Sequence, residues 1–439
     1  MKLTIVGTGY QGLVVGTCMA ENGHQVTCLD RDETLIAHLN EGRMPIHEPG
    51  LEELVMRNME EERLRFQVDL AEAVRDSMMV FICVGTQVDA SGAVDLAEVE
   101  AAADQIADAM DGYRLIVLKS TCPPGTADQL IERIAARTEH PFDMVVNPDF
   151  MKEGAAIQDF MGPDRVVVGC DDIRVNEIMK ELYSPFLRTG KPYLQMDRHS
   201  AEMVKYAVNV LLASRISIMN QMAELCSSYE ADVSAVREGI AADERIGPHY
   251  LFPGLGFGGT GIPKDLATCI RMAQDKGLSH DLFEAVLEVN KRRQRHFLER
   301  ILRYYGDAIV EKHIAVWGAA FKPRTDDIRG APALAIIQGL LDAGAEVVVY
   351  DPACNRKIKE HFGDAVSVAP RYYHALEGAD GLVIATEWNE FRRPDYARMA
   401  LLMRESVIFD GRNLYTLDVM REHGFRYFSV GRPTAGGES

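Results

Sequence analysis

The stretch Lys2-Leu-Thr-Ile-Val6-Gly7-Thr-Gly9-Tyr10-Gln-Gly12 decides how the rest of the chain is read. Leu3–Val6 are apolar or β-branched, as in a buried strand. They run into three glycines spaced Gly-x-Gly-x-x-Gly, and a helical pattern follows. Gly7 permits the tight turn, Gly9 lets backbone approach a pyrophosphate, and Gly12 lets a helix pack on the strand. The N-terminus of that helix offers N–H donors and a partial positive charge. Asp30 stands 18 residues beyond Gly12, at the tip of a second strand, Gln25–Leu29. Its carboxylate suits the two hydroxyls of an adenosine ribose and would repel a 2′-phosphate. The stretch therefore predicts NAD in preference to NADP, a preference that Arg31 softens.

Outward from this segment, strand patterns recur at Val80–Val84, Leu115–Leu118 and Met144–Val146, with helical stretches between them. That alternation predicts a parallel α/β sheet. From Ser200 to Glu230 there is no Pro or Gly, and the apolar residues occupy more than one face. A single surface stripe is absent, so a long helix buried from several sides is expected. Residues 243–263 are rich in Gly and Pro and read as a long loop; helix is expected from Lys264 to about Tyr305. The α/β alternation then restarts, with a strand at Ile314–Trp317, a helix at Ala331–Leu341 and a strand at Val347–Tyr350. Gly23-His-Gln-Val-Thr-Cys-Leu-Asp30 is repeated as Gly344-Ala-Glu-Val-Val-Val-Tyr-Asp351. The expected fold is α/β: two Rossmann-like, doubly wound domains joined by a long central helix and a helical region. The expected boundaries are 1–198, 199–300 with an active-site loop at 243–265, and 301–439. In the second copy Trp317-Gly318 is followed by Ala-Ala-Phe-Lys322-Pro-Arg324, with no further glycine until Gly330. The pyrophosphate fingerprint is lost there, and the cations Lys322, Arg324 and Arg329 suit another anionic ligand.

The 439-residue chain has a net charge of −19, 47% hydrophobic and 26% charged residues. This is a globular composition long enough for two or three domains. The acidic balance argues against a nucleic-acid partner, which needs clustered Lys and Arg, but leaves room for a small anion held by local cations. The longest apolar run, Met78–Val84, is 7 residues, against about 20 for a membrane-spanning helix. The eight cysteines never form Cys-x-x-Cys; neither a metal site nor a disulfide framework is predicted, and a reducing cytoplasm is. No charged-then-apolar leader precedes the first strand, so secretion is not expected. The only biased segment is the short glycine-containing tail after Arg432.

The ordered motifs resemble those of the nucleotide-sugar 6-dehydrogenases, the UDP-glucose/GDP-mannose dehydrogenase family, and most closely its UDP-glucose branch. They are Gly7-Thr-Gly9-Tyr10, Gly42-Arg-Met-Pro-Ile-His-Glu-Pro-Gly-Leu51, Val84-Gly-Thr86, Lys119-Ser-Thr121, Asn147-Pro-Asp149-Phe150, Lys152-Glu153-Gly154 and Pro163-Asp-Arg165. They continue with Lys205-Tyr-Ala-Val-Asn209, Arg245-Ile-Gly247, Gly256-Phe257-Gly258-Gly259, Pro263-Lys-Asp265, Phe321-Lys322-Pro, Thr325-Asp-Asp-Ile-Arg329 and Thr386-Glu-Trp388. The resemblance implies an NAD-dependent oxidoreductase that oxidises C6 of a UDP-sugar twice, to the acid, as a homodimer built on the long helix. By the same resemblance, Gly7, Gly9, Tyr10, Gly12, Asp30, Thr86, Thr121, Glu153 and Arg329 bind NAD. Lys205 and Asn209 hold the developing alkoxide, and Asp265 with a water and Thr121 takes the proton. Glu153 lies near the nicotinamide ribose or the sugar. Phe150, Phe257, Gly258, Lys322, Arg412 and the 250–259 loop hold the UDP-sugar, and Arg245 reaches a neighbouring subunit's sugar site.

Several positions depart from that pattern, among them Thr260, Ile262, Gln87 and Gly330, and two bear directly on the chemistry. The family's second oxidation runs through a cysteine thioester, and the cysteine follows Gly-Phe-Gly-Gly-Ser. Here the segment reads Gly256-Phe-Gly-Gly-Thr260-Gly261, so the nucleophile's position is Gly261. The acid associated with thioester hydrolysis, a glutamate in the family, is Asp149. Glycine at 261 is compatible with a positive φ in the loop. Cys269 reads as core, and Cys122, beside Thr121, is the other thiol to consider. Four outcomes stay open: oxidation of the aldehyde's hydrate without a covalent intermediate, arrest at the 6-aldehyde, ordinary acid formation by a chain changed at the nucleophile, or a UDP-sugar-binding protein without turnover.

Overall fold

The computed structural model describes residues 1–89 and 91–436; the end of the glycine-containing tail, residues 437–439, lies outside them. The chain divides into two compact units, Met1–Val208 with Ala267–Lys276, and Asn209–Leu266 with Gly277–Ser439.

The first unit is built on an eight-stranded sheet. Six consecutive strands from one edge, in spatial order Leu64–Gln67, Gln25–Leu29, Lys2–Val6, Met79–Ile82, Arg114–Leu118 and Phe142–Val146, are parallel. This is the doubly wound order, reversing direction of winding beside Lys2–Val6, and ligands of such sheets sit outside the strand C-termini at that switch. Residues alternate between two cores. Leu3, Ile5, Met79, Phe81, Leu115 and Val117 enter one, while Val6, Val80, Ile82, Ile116 and Leu118 enter the other. Burial on both faces explains the unbroken apolar run Met78–Val84. The expectation of a purely parallel sheet needs one correction. Val166–Gly169 runs antiparallel to Phe142–Val146, and Tyr193–Met196 follows it in parallel at the edge. An apolar run records burial and not strand direction, so the reversal left no mark in the pattern.

The second unit repeats the order on a smaller scale. Its six parallel strands run Val366–Val368, Glu346–Tyr350, His313–Trp317, Gly381–Ile384, Val407–Asp410 and Arg426–Ser429. Ile314 and Val316 face one core and Ala315 and Trp317 the other. The central helix spans Arg198–Ser228, close to the expected limits. The helix after the loop begins at Gly261, three residues earlier than expected, and the helical stretch is two helices, Gly261–Asp275 and Asp281–Tyr305. The break falls at Gly277, whose positive φ of 66° ends the first helix.

The repeated aspartates do related work in the two sheets. Asp30 Oδ2 accepts the Thr8 amide at 2.9 Å and Oδ1 accepts the Asp32 amide at 3.1 Å, with the side chain partly open to solvent. Asp351 is fully enclosed. Its Oδ2 accepts the Ala319 and Ala320 amides and the Trp388 indole N–H, and its Oδ1 accepts the Ala353 and Cys354 amides. Asp351→Asn sets a donor against these buried N–H groups. It should cost about 2–3 kcal/mol and lower the calorimetric melting temperature, whereas Asp30→Asn should leave that temperature nearly unchanged.

Candidate active site

The glycine turn has the geometry expected of a dinucleotide cradle. Gly7 has φ of 93°, and a Cβ there would lie 2.8 Å from the Val84 backbone. A Cβ on Gly12 would lie 1.8 Å from the Gly7 carbonyl oxygen, so glycine is obligatory where the helix Tyr10–Glu21 meets the strand. A Cβ on Gly9 would meet nothing within 4 Å, and no side chain caps this helix. Its first N–H groups and its dipole therefore face open room for a diphosphate. Asp30 stands at the adjacent strand tip, and the residues fit NAD. Arg31 forms an exposed ion pair with Glu98, which offsets the cation expected to soften the choice of cofactor.

The neighbouring loops of the first unit converge on this edge. Thr86 donates its hydroxyl to the Thr121 carbonyl at 3.1 Å, and Gln11, one residue past Tyr10, donates to the Lys119 carbonyl at 3.2 Å. Lys119 is buried, and its ammonium donates to Asn147 Oδ1 at 3.1 Å. Burial pushes Lys119 below its ordinary range, while Asp149 works in the opposite direction. Asp149 accepts the Met151 amide through Oδ1, which turns the chain so that Phe150 lies between two cations. The Arg165 guanidinium is 3.8 Å from the Phe150 ring centroid and the Lys205 ammonium is 5.6 Å from it. Glu153 lies close enough to Tyr10 to raise its phenol, although burial and the hydrogen bond to Glu48 are the larger causes.

In the second unit, Asn209 donates to Asp265 Oδ2 at 2.5 Å. Asp265 is 1% exposed and lies on the second turn of its helix, with the Lys264 ammonium 3.9 Å away. It is not a solvent-facing acid of the helix start. The 254–259 loop is held from behind by two helices. The Gly254 amide donates to Asn220 Oδ1 at 2.8 Å, and the Arg293 Nε–H donates to the Gly254 carbonyl at 3.1 Å. Asn290 binds both polar atoms of one peptide, accepting from the Phe257 amide and donating to the Phe257 carbonyl. Burial pushes Arg293 down to about 10. Gly256, Gly258 and Gly259 are each required, since a Cβ would lie 2.2 Å from Asn290 Oδ1, 2.3 Å from the Gly330 oxygen and 2.8 Å from the Phe321 ring, respectively. Arg412 donates to the Ala385 carbonyl at 2.7 Å and approaches Glu387 at 3.2 Å, with its guanidinium beside Gly254. Lys322 lies over the Phe321 ring. Arg329 pairs with Asp327, and Arg245, exposed, pairs with Asp243.

Gly261 behaves differently from its neighbours. It opens the helix, its φ is not in the left-handed region, and a Cβ there would meet nothing within 4 Å. The alternative that backbone conformation explains this glycine has no support in its surroundings: neither torsion nor crowding demands it. Elsewhere, all eight cysteines are buried. Cys122 packs in the core beneath the first sheet, Cys269 is buried on its helix, and burial pushes Cys83 up to about 12. Among the described residues no cluster of metal-binding side chains occurs and no helix is long and apolar enough to cross a membrane.

Sequence reasoning missed Glu48, Asn220, Asn290 and Arg293. A signal existed for two of them: Val286, Asn290, Arg293, Phe297 and Ile301 form one buried helical stripe, in which an amide and a guanidinium are out of place unless they serve a partner.

The second Rossmann-like sheet cannot repeat the dinucleotide site, because Trp388 closes over Asp351. One half of the chain is thus built for a dinucleotide and the other, with its cation-lined loops, for a different anion. This division is the organisation of a nucleotide-dependent dehydrogenase. The chain belongs to the UDP-glucose/GDP-mannose dehydrogenase family: the family's NAD-binding domain matches residues 1–187, its central domain 199–292 and its UDP-binding domain 315–417. It is 41% identical to the UDP-glucose 6-dehydrogenase of Pseudomonas aeruginosa, over 99% of this chain and 98% of the relative. It is 43% identical to that of Rhizobium meliloti, over 99% and 100%. The structure of a UDP-glucose dehydrogenase from Pyrobaculum islandicum superposes with a TM-score of 0.90 at 34% identity, covering 98% of each chain. A UDP-D-ManNAc dehydrogenase from Pyrococcus horikoshii gives 0.85 at 26% identity, covering 98% and 99%.

Asn290→Ala strands both polar atoms of the Phe257 peptide. Titration calorimetry should show UDP affinity falling by about tenfold, equivalent to about 1.4 kcal/mol, with NAD affinity unchanged.

Proposed function

We propose that the protein oxidises the C6 hydroxyl of a UDP-sugar of the UDP-glucose type with NAD, by a route in which no cysteine thiolate attacks the substrate. The named activities of the relatives support the substrate and the reaction type. The observation that carries the altered route is Gly261, a helix-opening position with room for a side chain and no physical need to lack one. In this reading residues 1–198 bind the dinucleotide, 199–300 supply the reacting groups and 301–439 hold the UDP moiety.

In the first oxidation Lys205 and Asn209, one turn apart on the central helix, hydrogen-bond the C6 oxygen as negative charge develops there. Asp265, oriented by its bond from Asn209, receives the hydroxyl proton through a water. NAD, when bound, supplies the hydride acceptor. Without a thiol, the aldehyde takes up water at C6 to form its hydrate, in the room left beside Gly261. A second hydride then leaves C6, the hydrate's hydroxyl proton passes to a carboxylate, and the acid results. Asp149, Phe150 and Glu153 belong to one loop of the first unit, and in the second unit Phe257, Gly258, Lys322, Arg412 and, from a neighbouring subunit, Arg245 orient the sugar nucleotide. Eight scattered cysteines, all buried and never in a Cys-x-x-Cys pair, suit a reducing, cytoplasmic setting.

The test incubates the protein with UDP-glucose and excess NAD, counts NADH per sugar consumed and identifies the product by mass spectrometry. Two NADH with UDP-glucuronate mark the hydrate route, one NADH with the 6-aldehyde marks arrest after the first step, and binding with no NADH contradicts the proposal. Gly261→Cys should fold normally, since its Cβ is uncrowded, and should form a covalent adduct with the aldehyde that the natural chain does not.

The central helix also supports a homodimer. Leu211, Ile218 and Leu225 recur every seven residues and are 65%, 59% and 49% exposed, a stripe of the kind that pairs helices. Light scattering should give twice the chain mass, and Leu211→Glu with Ile218→Glu should give the monomer.

A further inference from the structure

The family motif Gly42–Leu51 contains one acid, Glu48, between His47 and Pro49, and the reaction above gives it no role. Glu48 is only 6% exposed, and its carboxylate faces three donors. The Tyr10 hydroxyl and the Gly154 amide donate to Oε2, the latter at 2.6 Å, and the Ala156 amide donates to Oε1 at 2.9 Å. The Gly154 amide also lies 3.2 Å from the Tyr10 oxygen. Tyr10 is the first residue of the helix whose N-terminus forms the dinucleotide cradle. Gly154 follows Glu153 directly and turns the chain with φ of 76°. One buried side chain thus ties the glycine turn to the loop that carries Glu153, and those loops are more than a hundred residues apart in sequence.

We propose that Glu48 is a positioning residue of the dinucleotide site, holding Tyr10 of the glycine turn and the backbone of the Glu153 loop in one fixed arrangement. The inference rests on the reading that Tyr10 and Glu153 face the cofactor. A carboxylate is the side chain that the geometry requires, because all three partners approach as donors. In a glutamine, an oxygen turned to Ala156 leaves the Nε2 group against the Gly154 N–H. The flipped amide leaves it against the Ala156 N–H. Either way one buried amide loses its acceptor and the loop must shift. A shift of this kind acts on placement, so its signature is cofactor affinity and not general stability.

The experiment measures NAD and UDP binding separately, by calorimetry on the full-length protein, for the natural chain, Glu48→Gln and Tyr10→Phe, with melting temperatures alongside. Glu48→Gln should weaken NAD binding by about tenfold and Tyr10→Phe by a few-fold, while UDP binding stays within about twofold of the natural protein. Together the two changes should weaken NAD binding by less than the product of their separate effects, because they break the same cluster. Unchanged NAD affinity in Glu48→Gln, or equal weakening of both ligands, would overturn the proposal. Should Glu48→Gln fail to fold, unchanged NAD affinity in Tyr10→Phe would do the same. These are binding measurements, so a natural protein that binds NAD yet forms no NADH would contradict the proposed reaction and leave the role of Glu48 readable.

Discussion

A carboxylate at the tip of the second strand, accepting the amide that follows the first strand's glycine, organises both halves of this chain. Asp30 takes the Thr8 amide and Asp351 the Ala319 amide. Each bond holds the turn after the first strand at the switch point of the sheet, where the strand order reverses and where a ligand can approach the strand ends. The glycines beside these bonds are forced for the same reason, since Gly7 and Gly318 both take positive φ against the neighbouring strand's loop. What differs is the lid. Asp30 is left partly open beside an uncapped helix, and Asp351 is sealed by the indole of Trp388. One architecture therefore yields a dinucleotide site in the first half and, in the second, a sheet edge released for another nucleotide.

Much of this was legible because it is local. The Gly-x-Gly-x-x-Gly turn, Asp30 and the repeat ending at Asp351 each state a backbone requirement within a few residues. The long helix announced itself by the absence of Pro and Gly, and its uneven apolar pattern holds both the core-facing residues and the exposed heptad stripe. Short strands were harder to read. Leu64–Gln67 and Val366–Val368 have three or four residues each, too few to show a period, and the reversed edge pair differs from its neighbours only in direction. Side chains that act across the fold were harder still. Asn290, Asn220 and Glu48 each satisfy backbone groups of loops distant in sequence, and no local pattern names the partner.

Gly261 shows both the reach and the limit of a sequence reading. The resemblance put the nucleophile's position at this residue, but it allowed the glycine to be a backbone necessity. The structure removes that explanation, because three neighbouring glycines are crowded or left-handed and this one is neither. The side chains to which the proposal gives the first oxidation are held in their own surroundings: Asn209 holds Asp265 through a short hydrogen bond, and the Lys205 ammonium rests against Phe150 beside Arg165. On the proposal above, such a chain makes an aldehyde and treats it without a covalent bond.

Intact-protein mass spectrometry during a single turnover tests that claim most directly. Enzyme in excess over UDP-glucose, quenched in acid through the course of NADH formation, should show the mass of the unmodified chain at every time point. A transient increment equal to the bound sugar nucleotide, forming and decaying at the rate of the second NADH, would show a covalent intermediate on another residue and contradict the account.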